Sequence, residues 1–153
     1  MLYPISKILS PLQFDEHSIA ALGLAKDFAE RNDATIYLLH VVPILPAIGE
    51  ASITETVEGP EGQKAKVLLE EIAKKYLKDV KHEITVVGAE LSETADAVLM
   101  AAGEIGIDLI VMTTHARTGL PLLLAGSVCE GVIRGATCPV VIIRPDHLKK
   151  HEA

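Results

Sequence analysis

Residues Leu109–Ser127 read LIVMTTHARTGLPLLLAGS and contain the pattern on which the fold depends. They open with a continuous apolar run of strand length, which is typical of a strand covered on both faces of a parallel sheet. Small residues follow, and Gly126–Ser127 stand at the predicted start of a helix. A buried strand that leads through a loop into a helix predicts an α/β fold, with the loop at the carboxyl end of the sheet.

Further apolar runs of strand length lie elsewhere in the chain, with helical spacing of apolar residues between them. The predicted strands are Lys7–Leu12, Thr35–Val42, Glu83–Val87, Leu109–Thr113 and Val140–Arg144. The predicted helices are Glu16–Arg31, Gly62–Leu77, Glu93–Ile105 and Val128–Gly135. This alternation predicts a Rossmann-like α/β fold, an open five-stranded parallel sheet with four helices on both faces and right-handed crossovers.

Local signals refine this arrangement at the helix starts and in one long connection. Asp15 is expected to cap the first helix and Ser92 the third, because their side chains can accept a hydrogen bond from a free backbone N–H. Residues Pro43–Gly62 form the long connection. Two interpretations remain open for it: a flexible flap over the sheet edge, or a cover for a ligand.

Composition bounds the class of protein. The 153 residues are the ordinary size of one domain, expected over residues 1–146 with a charged tail at 147–153. The net charge of −7 argues against a nucleic-acid partner and against an anionic membrane. No signal peptide or membrane-spanning run is visible, so a cytoplasmic location is expected. Cys129 and Cys138 form no CxxC pair and are expected to be buried or half-buried thiols in a reducing compartment.

Ligands of open parallel sheets bind beyond the carboxyl ends of the strands, where the strand order reverses. The loops at Pro11–Asp15, Val41–Pro43 and Thr113–Ser127 are therefore the candidates. The last one ends in Gly126–Ser127, where free N–H groups of a helix start can bind a phosphate, and Arg117 adds a positive charge. A reading without a ligand also fits, because residues 127–130 match the capping box S-x-x-E.

The stretch after the fourth strand also resembles the signature of a known family. Thr113, Ala116 and then, after nine residues, Gly126–Ser127 are similar to the universal stress protein signature of glycine, two residues, glycine, nine residues, glycine and Ser or Thr. The resemblance extends to KILSPLQFDEHS at the start, LLHVV in the second strand and ATCPVVIIR at the end. It implies a UspA-like fold, similar to adenine nucleotide alpha hydrolases. It also implies that the protein binds ATP, ADP or AMP, with or without Mg²⁺, and acts as a regulator or sensor of stress.

The resemblance also implies where an adenine nucleotide would lie. The phosphates would contact Gly126, Ser127 and the turn Thr113–Arg117, which includes His115 and Ala116, with Val128 at their border. The ribose and adenine would lie near Pro11, Gln13, Val41 and Met112. His115 could touch phosphate or carry a proton, but it could equally fix the loop by hydrogen bonding.

Departures from the family pattern keep other functions open. Thr113 and Ala116 replace the first two glycines of the signature, and Gln13 stands where nucleotide-binding relatives usually have Asp. If these changes close the pocket, the chain is a ligand-free dimeric interaction module. A slow ATPase is the third alternative. Efficient catalysis is not expected and no catalytic residue is assigned, because no nucleophile stands beside a clear base.

Two expectations concern metal and partners. His147 and His151 have the i, i+4 spacing of a metal pair, but they lie in the charged tail without a third ligand, so no metal site is predicted. The last strand is expected at the sheet edge, where an apolar strand favours pairing with another chain. Relatives commonly dimerise through this strand, so the resemblance implies a homodimer through Val140–Arg144.

Overall fold

The structure is a computed structural model that describes residues 3–44, 53–114 and 128–144. Its five strands are β1 (Lys7–Pro11), β2 (Thr35–Pro43), β3 (His82–Ala89), β4 (Leu109–Thr113) and β5 (Val140–Ile143). All the pairings are parallel, and the strand order is β3-β2-β1-β4-β5. The helices are α1 (Glu16–Asn32), α2 (Ile53–Glu58), α3 (Pro60–Tyr76), α4 (Thr94–Ile105) and α5 (Val128–Gly135). The predicted open five-stranded parallel sheet is confirmed, with β5 at one edge.

The strands β1 and β4 are buried on both faces, as their continuous apolar composition predicts, whereas β3 and β5 at the sheet edges are largely half-buried. Successive side chains of a strand point to opposite faces, so each strand supplies both halves of the core. One half joins strand residues such as Ile8 and Val111 to α1 and α3. The other half joins strand residues such as Leu9, Ile110 and Met112 to α4 and α5. Helices therefore cover both faces of the sheet.

The number of helices differs from the prediction, because the long connection contains α2. The chain turns directly from α2 into α3, and a Cβ atom at Gly62 would overlap the carbonyl oxygen of Val57. A glycine at that position allows this close approach. The helix α3 begins at Pro60, two residues before the predicted start, because proline is well suited to the first turn of a helix. Residues 45–52 of the connection lie outside the described part of the chain.

The two predicted caps have different outcomes. The carboxylate of Asp15 accepts a hydrogen bond from the Ser18 N–H over 2.8 Å, so the cap of α1 is confirmed. The predicted cap at Ser92 is wrong, because Leu91–Glu93 form a 3₁₀ turn that leads into α4. There the Thr94 hydroxyl donates to the Leu91 carbonyl over 3.0 Å. This hydrogen bond ties the 3₁₀ turn to the first residue of α4.

No helix in the described ranges is long and apolar enough to cross a membrane. Both cysteines are free thiols; Cys129 is buried and Cys138 is half-buried, as expected from the sequence.

Candidate functional site

A cavity opens where the neighbouring strands β1 and β4 separate. β1 pairs with β4 only through Ile8–Leu109 and Leu9–Ile110, whereas its pairing with β2 continues to Pro11. β4 continues beside β5 as far as Thr113. The gap lies between β1 and β4, at the point where the strand order reverses, which is where open parallel sheets bind ligands.

The cavity has a volume of about 280 Å³ and is lined mainly by apolar side chains, with a few polar groups. Its walls come from the ends of β1, β2 and β4 and from the N-terminal turns of α1, α4 and α5. The lining residues are Pro11, Leu12, Gln13, Ser18, Leu39, His40, Val41, Thr94, Val98, Met112, Thr113, Val128 and Cys129. Apolar walls with a small number of placed polar groups are the usual make-up of a small-molecule site.

The register of β2 directs the peptide groups of Val41 towards the β1 side. The carbonyl of Leu39 accepts a hydrogen bond from the Leu12 N–H over 2.8 Å, so Leu39 faces β1. In a parallel ladder every second residue faces the same neighbour, and Val41 is the next one. The last pair between the two strands is Pro11–Leu39, so Val41 lies beyond the end of the β1 ladder.

Two glycines let α5 lie close against α4, and this contact places one wall of the cavity. A Cβ atom on Gly131 would lie 2.5 Å from the Ala95 Cβ, and one on Gly135 would overlap the Leu99 side chain. The close approach brings the first turn of α5 (with Val128) and the first turn of α4 (with Thr94) to the same cavity.

The end of β4 is buried and hydrogen-bonded to α5. The Cys129 thiol donates to the Thr113 carbonyl over 3.2 Å. Burial raises the pKa of this thiol above its ordinary value of 9.0, although a hydrogen bond with the Thr114 side chain lowers it. A neutral thiol is a weak nucleophile, so Cys129 serves here as a packing and hydrogen-bonding group.

The structure brings together six of the residues implicated from the sequence: Pro11, Gln13, Val41, Met112, Thr113 and Val128 all line the cavity. The other predicted contacts, His115, Ala116, Arg117, Gly126 and Ser127, lie outside the described residues, as do His147 and His151. Among the described residues, no cluster of three or more His, Cys, Asp or Glu side chains could hold a metal ion.

Sequence reasoning missed several lining residues, among them Ser18, His40, Thr94 and Val98. Thr94 and Val98 are four residues apart on α4, so helical spacing placed them on one face without showing that this face borders the cavity. His40 stands next to Val41 in the predicted second strand, and that adjacency was the available signal.

An open parallel α/β sheet with helices on both faces and a reversal of strand order between β1 and β4, its switch point, defines a doubly wound, Rossmann-like fold. The profile of the universal stress protein family matches residues 4–144. The chain belongs to that family.

Individual relatives match along nearly the whole chain. Universal stress protein A homolog 2 of Coxiella burnetii is 34% identical over 142 residues, which cover 90% of this chain and 94% of the relative. The solved structure of MJ0577 from Methanocaldococcus jannaschii has a TM-score of 0.68 at 29% identity and covers 92% of this chain and 96% of that one.

Two more distant solved structures show the fold and carry nucleotides of their own. A universal stress protein in complex with cAMP has a TM-score of 0.69 at 20% identity and covers 92% of this chain and 97% of that one. The universal stress protein of Archaeoglobus fulgidus in complex with dAMP has a TM-score of 0.65 at 18% identity and covers 93% of this chain and 99% of that one.

Proposed function

We propose that this protein binds an adenine nucleotide in the cavity between β1 and β4 and acts as a regulator or sensor in the stress response. One observation carries the proposal: six residues expected from the family resemblance to contact a nucleotide line one cavity at the switch point of the sheet. That position is where open parallel sheets bind nucleotides. Two structural neighbours hold cAMP and dAMP, which share the adenine ring and a phosphate.

The lining fits the two ends of such a ligand differently. Apolar side chains such as Pro11, Val41 and Met112 offer a slot for the adenine ring, while Gln13 supplies a hydrogen-bonding amide. Val128 and Cys129 belong to the first turn of α5. A helix start attracts the negative charge of a phosphate through its free N–H groups. The adenine would therefore lie towards β1 and β2 and the phosphates towards α5.

The specific nucleotide that we propose is ATP, with or without Mg²⁺. The negative charge of the chain does not oppose it, because backbone N–H groups supply the local positive field. The alternative is a ligand-free interaction module. The observation that favours this alternative is Thr113, whose buried branched side chain lines the cavity where the family signature has a glycine. Slow hydrolysis of ATP is a separate activity that the same samples can test.

The test is a series of thermal melts with millimolar AMP, ADP, ATP and cAMP, each with and without Mg²⁺, and with GMP as the control. A nucleotide at a hundred times its dissociation constant stabilises the protein by about 2.7 kcal/mol, which gives a measurable rise in Tm. The proposal expects a rise with at least one adenine nucleotide and a smaller rise with GMP. No rise with any adenine nucleotide would favour the ligand-free module. Phosphate release in the ATP samples separates binding from hydrolysis.

A homodimer through Val140–Arg144 is part of the proposal. β5 is an edge strand, and its side chains Val141 and Ile143 are only half-buried. A second copy could pair along that edge and cover these side chains. A cytoplasmic location agrees with two free thiols, since reduced thiols persist in that compartment.

A further inference from the structure

The turn between β1 and α1 carries Gln13, and its backbone is held in an uncommon conformation. Phe14 has a φ angle of 61°, in the left-handed region that favours glycine. A phenylalanine stays in that region only when its surroundings hold it there. The turn lies beside the cavity, because Leu12 and Gln13 both line it. The contacts that hold this turn therefore set the position of Gln13 relative to the cavity.

Some of these contacts come from the neighbouring backbone and from α1. The Leu12 N–H donates to the Leu39 carbonyl over 2.8 Å. The Gln13 N–H donates to the Ser18 hydroxyl oxygen over 3.3 Å. Together they fix the backbone on the two sides of the Leu12 carbonyl.

His40 supplies two further contacts from β2. Its Nδ1 lies 2.7 Å from the Leu12 carbonyl oxygen. A carbonyl oxygen can only accept, so Nδ1 carries the proton and donates. The imidazole ring also packs against the ring of Phe14, with 4.3 Å between the centroids and 35° between the planes. One side chain thus holds the residue before Gln13 and the residue after it.

We propose that His40 is a positioning residue for the nucleotide site: it holds the left-handed turn at Phe14 and so keeps Gln13 directed at the adenine end of the cavity. The proposal rests on the proposed function, since the group being positioned serves a bound nucleotide. A different role for His40, packing alone, predicts a loss of stability without a specific link to Gln13. The two roles can be separated by measurement.

The first measurement is the affinity for AMP, which contains the adenine, ribose and phosphate common to the series. His40→Phe keeps a ring against Phe14 but removes the donor to Leu12, and we expect the Kd to rise about tenfold, the equivalent of one lost hydrogen bond. His40→Asn keeps an N–H donor close to the position of Nδ1, and we expect a smaller rise. Met100→Ala is the matched control, because Met100 is exposed on α4 and does not line this cavity.

The second measurement is a double-mutant cycle with Gln13→Ala. If His40 acts through Gln13, His40→Phe weakens AMP binding in the wild-type background and has little further effect in the Gln13→Ala background. Equal losses in both backgrounds would overturn the inference, because they would show that His40 affects AMP binding independently of Gln13.

The third measurement needs no nucleotide. Amide hydrogen exchange at Gln13 reports the turn in the free protein, and we expect His40→Phe to speed it while exchange in the β2–β3 ladder stays unchanged. Unchanged exchange at Gln13 would overturn the inference even if AMP binds. If the wild-type protein binds none of AMP, ADP, ATP and cAMP but exchange at Gln13 rises in the variant, the proposed function fails and the hold of His40 on the turn stands.

Discussion

The thiol of Cys129 donates a hydrogen bond to the carbonyl oxygen of Thr113 over 3.2 Å, which ties the first turn of α5 to the end of β4. The two elements meet at the cavity, because both residues line it. The link also explains why a buried thiol suits this position: it fills space, donates one weak hydrogen bond and stays neutral. A substitution at either residue should therefore change both the stability of the protein and its binding of a ligand.

The titration of Cys129 gives a prediction for stability against pH. Burial raises the pKa of its thiol above 9.0, so the unfolded chain loses the proton first as the pH rises. The free energy of unfolding should then fall as the pH rises above about 9, by up to roughly 1.4 kcal/mol for each unit of pKa difference. At pH values below the pKa of this thiol in the unfolded chain, its contribution to the free energy of unfolding is fully present. Denaturant melts from pH 7 to pH 10 measure this slope.

The control for that slope is Cys129→Ala, which removes the titrating group. The variant should be less stable than the wild type at pH 7, because it loses a buried side chain and its hydrogen bond. Its stability should fall less steeply in the alkaline range. Identical alkaline slopes in the two proteins would mean that the thiol ionises equally in the folded and unfolded states.

The contact between α4 and α5 predicts a large difference between two glycine substitutions. Gly131→Ala places a methyl group against Ala95, and we expect a loss of about 1–3 kcal/mol from overpacking. Gly103→Ala is the matched control, because it lies in α4 with no atom within 4 Å of the new Cβ. We expect the control to gain about 0.4–1 kcal/mol through lower entropy of the unfolded chain. Urea unfolding of both variants measures the difference, and equal effects would contradict the close packing.

The close contact between α2 and α3 at Gly62 predicts a local change in amide exchange. Gly62→Ala would bring a Cβ onto the Val57 carbonyl, so the two helices must move apart. We expect faster amide exchange in α2 and little change in the β1–β2 ladder, because α2 packs on α3 and β3. Gly23→Ala on α1 has open space around it and should leave exchange in α2 unchanged. Unchanged exchange in α2 of the Gly62 variant would contradict the account of this turn.

The edge strand predicts the mass of the protein in solution. If β5 pairs with a second copy, light scattering at micromolar concentration should give twice the 16.4 kDa of one chain. Ile143→Lys should shift the mass towards one chain, because a charge on the half-buried edge opposes pairing. Met100→Lys, which changes an exposed side chain on α4, should stay dimeric. A wild-type mass of one chain would contradict the proposed dimer.

The sequence predicted the sheet well because buried parallel strands leave a strong signal. The bounds of β4 and the end of α5 at Gly135 agree with their predictions, since a continuous apolar run and a short helical repeat mark them. α2 was missed, because it has only six residues and its place depends on the approach to α3 rather than on periodicity. Glu83–Val87 was too short a prediction for β3, because pairing with β2 extends the strand to His82 and Ala89.

The site could be predicted only in part, for a physical reason. Strand periodicity and the carboxyl-end rule located the loops, and the family resemblance selected residues such as Gln13 and Val41. Residues that reach the cavity from another element, such as Val98 on α4, depend on how the helices pack. The contacts of His40 depend on the left-handed turn at Phe14, and no local sequence pattern around the phenylalanine indicates that turn.

The most direct test of the account follows the backbone amide signals of the labelled protein by nuclear magnetic resonance while AMP is added. The structure offers a second cavity for comparison, bounded by α2, β3 and α4 and lined by Val87, Met100 and Glu104 among others. We predict saturable shifts at Gln13, Val41 and Val128, with little change around Met100. Shifts confined to the second cavity, or no saturable shift with AMP and with ADP, ATP and cAMP in parallel titrations, would contradict nucleotide binding between β1 and β4.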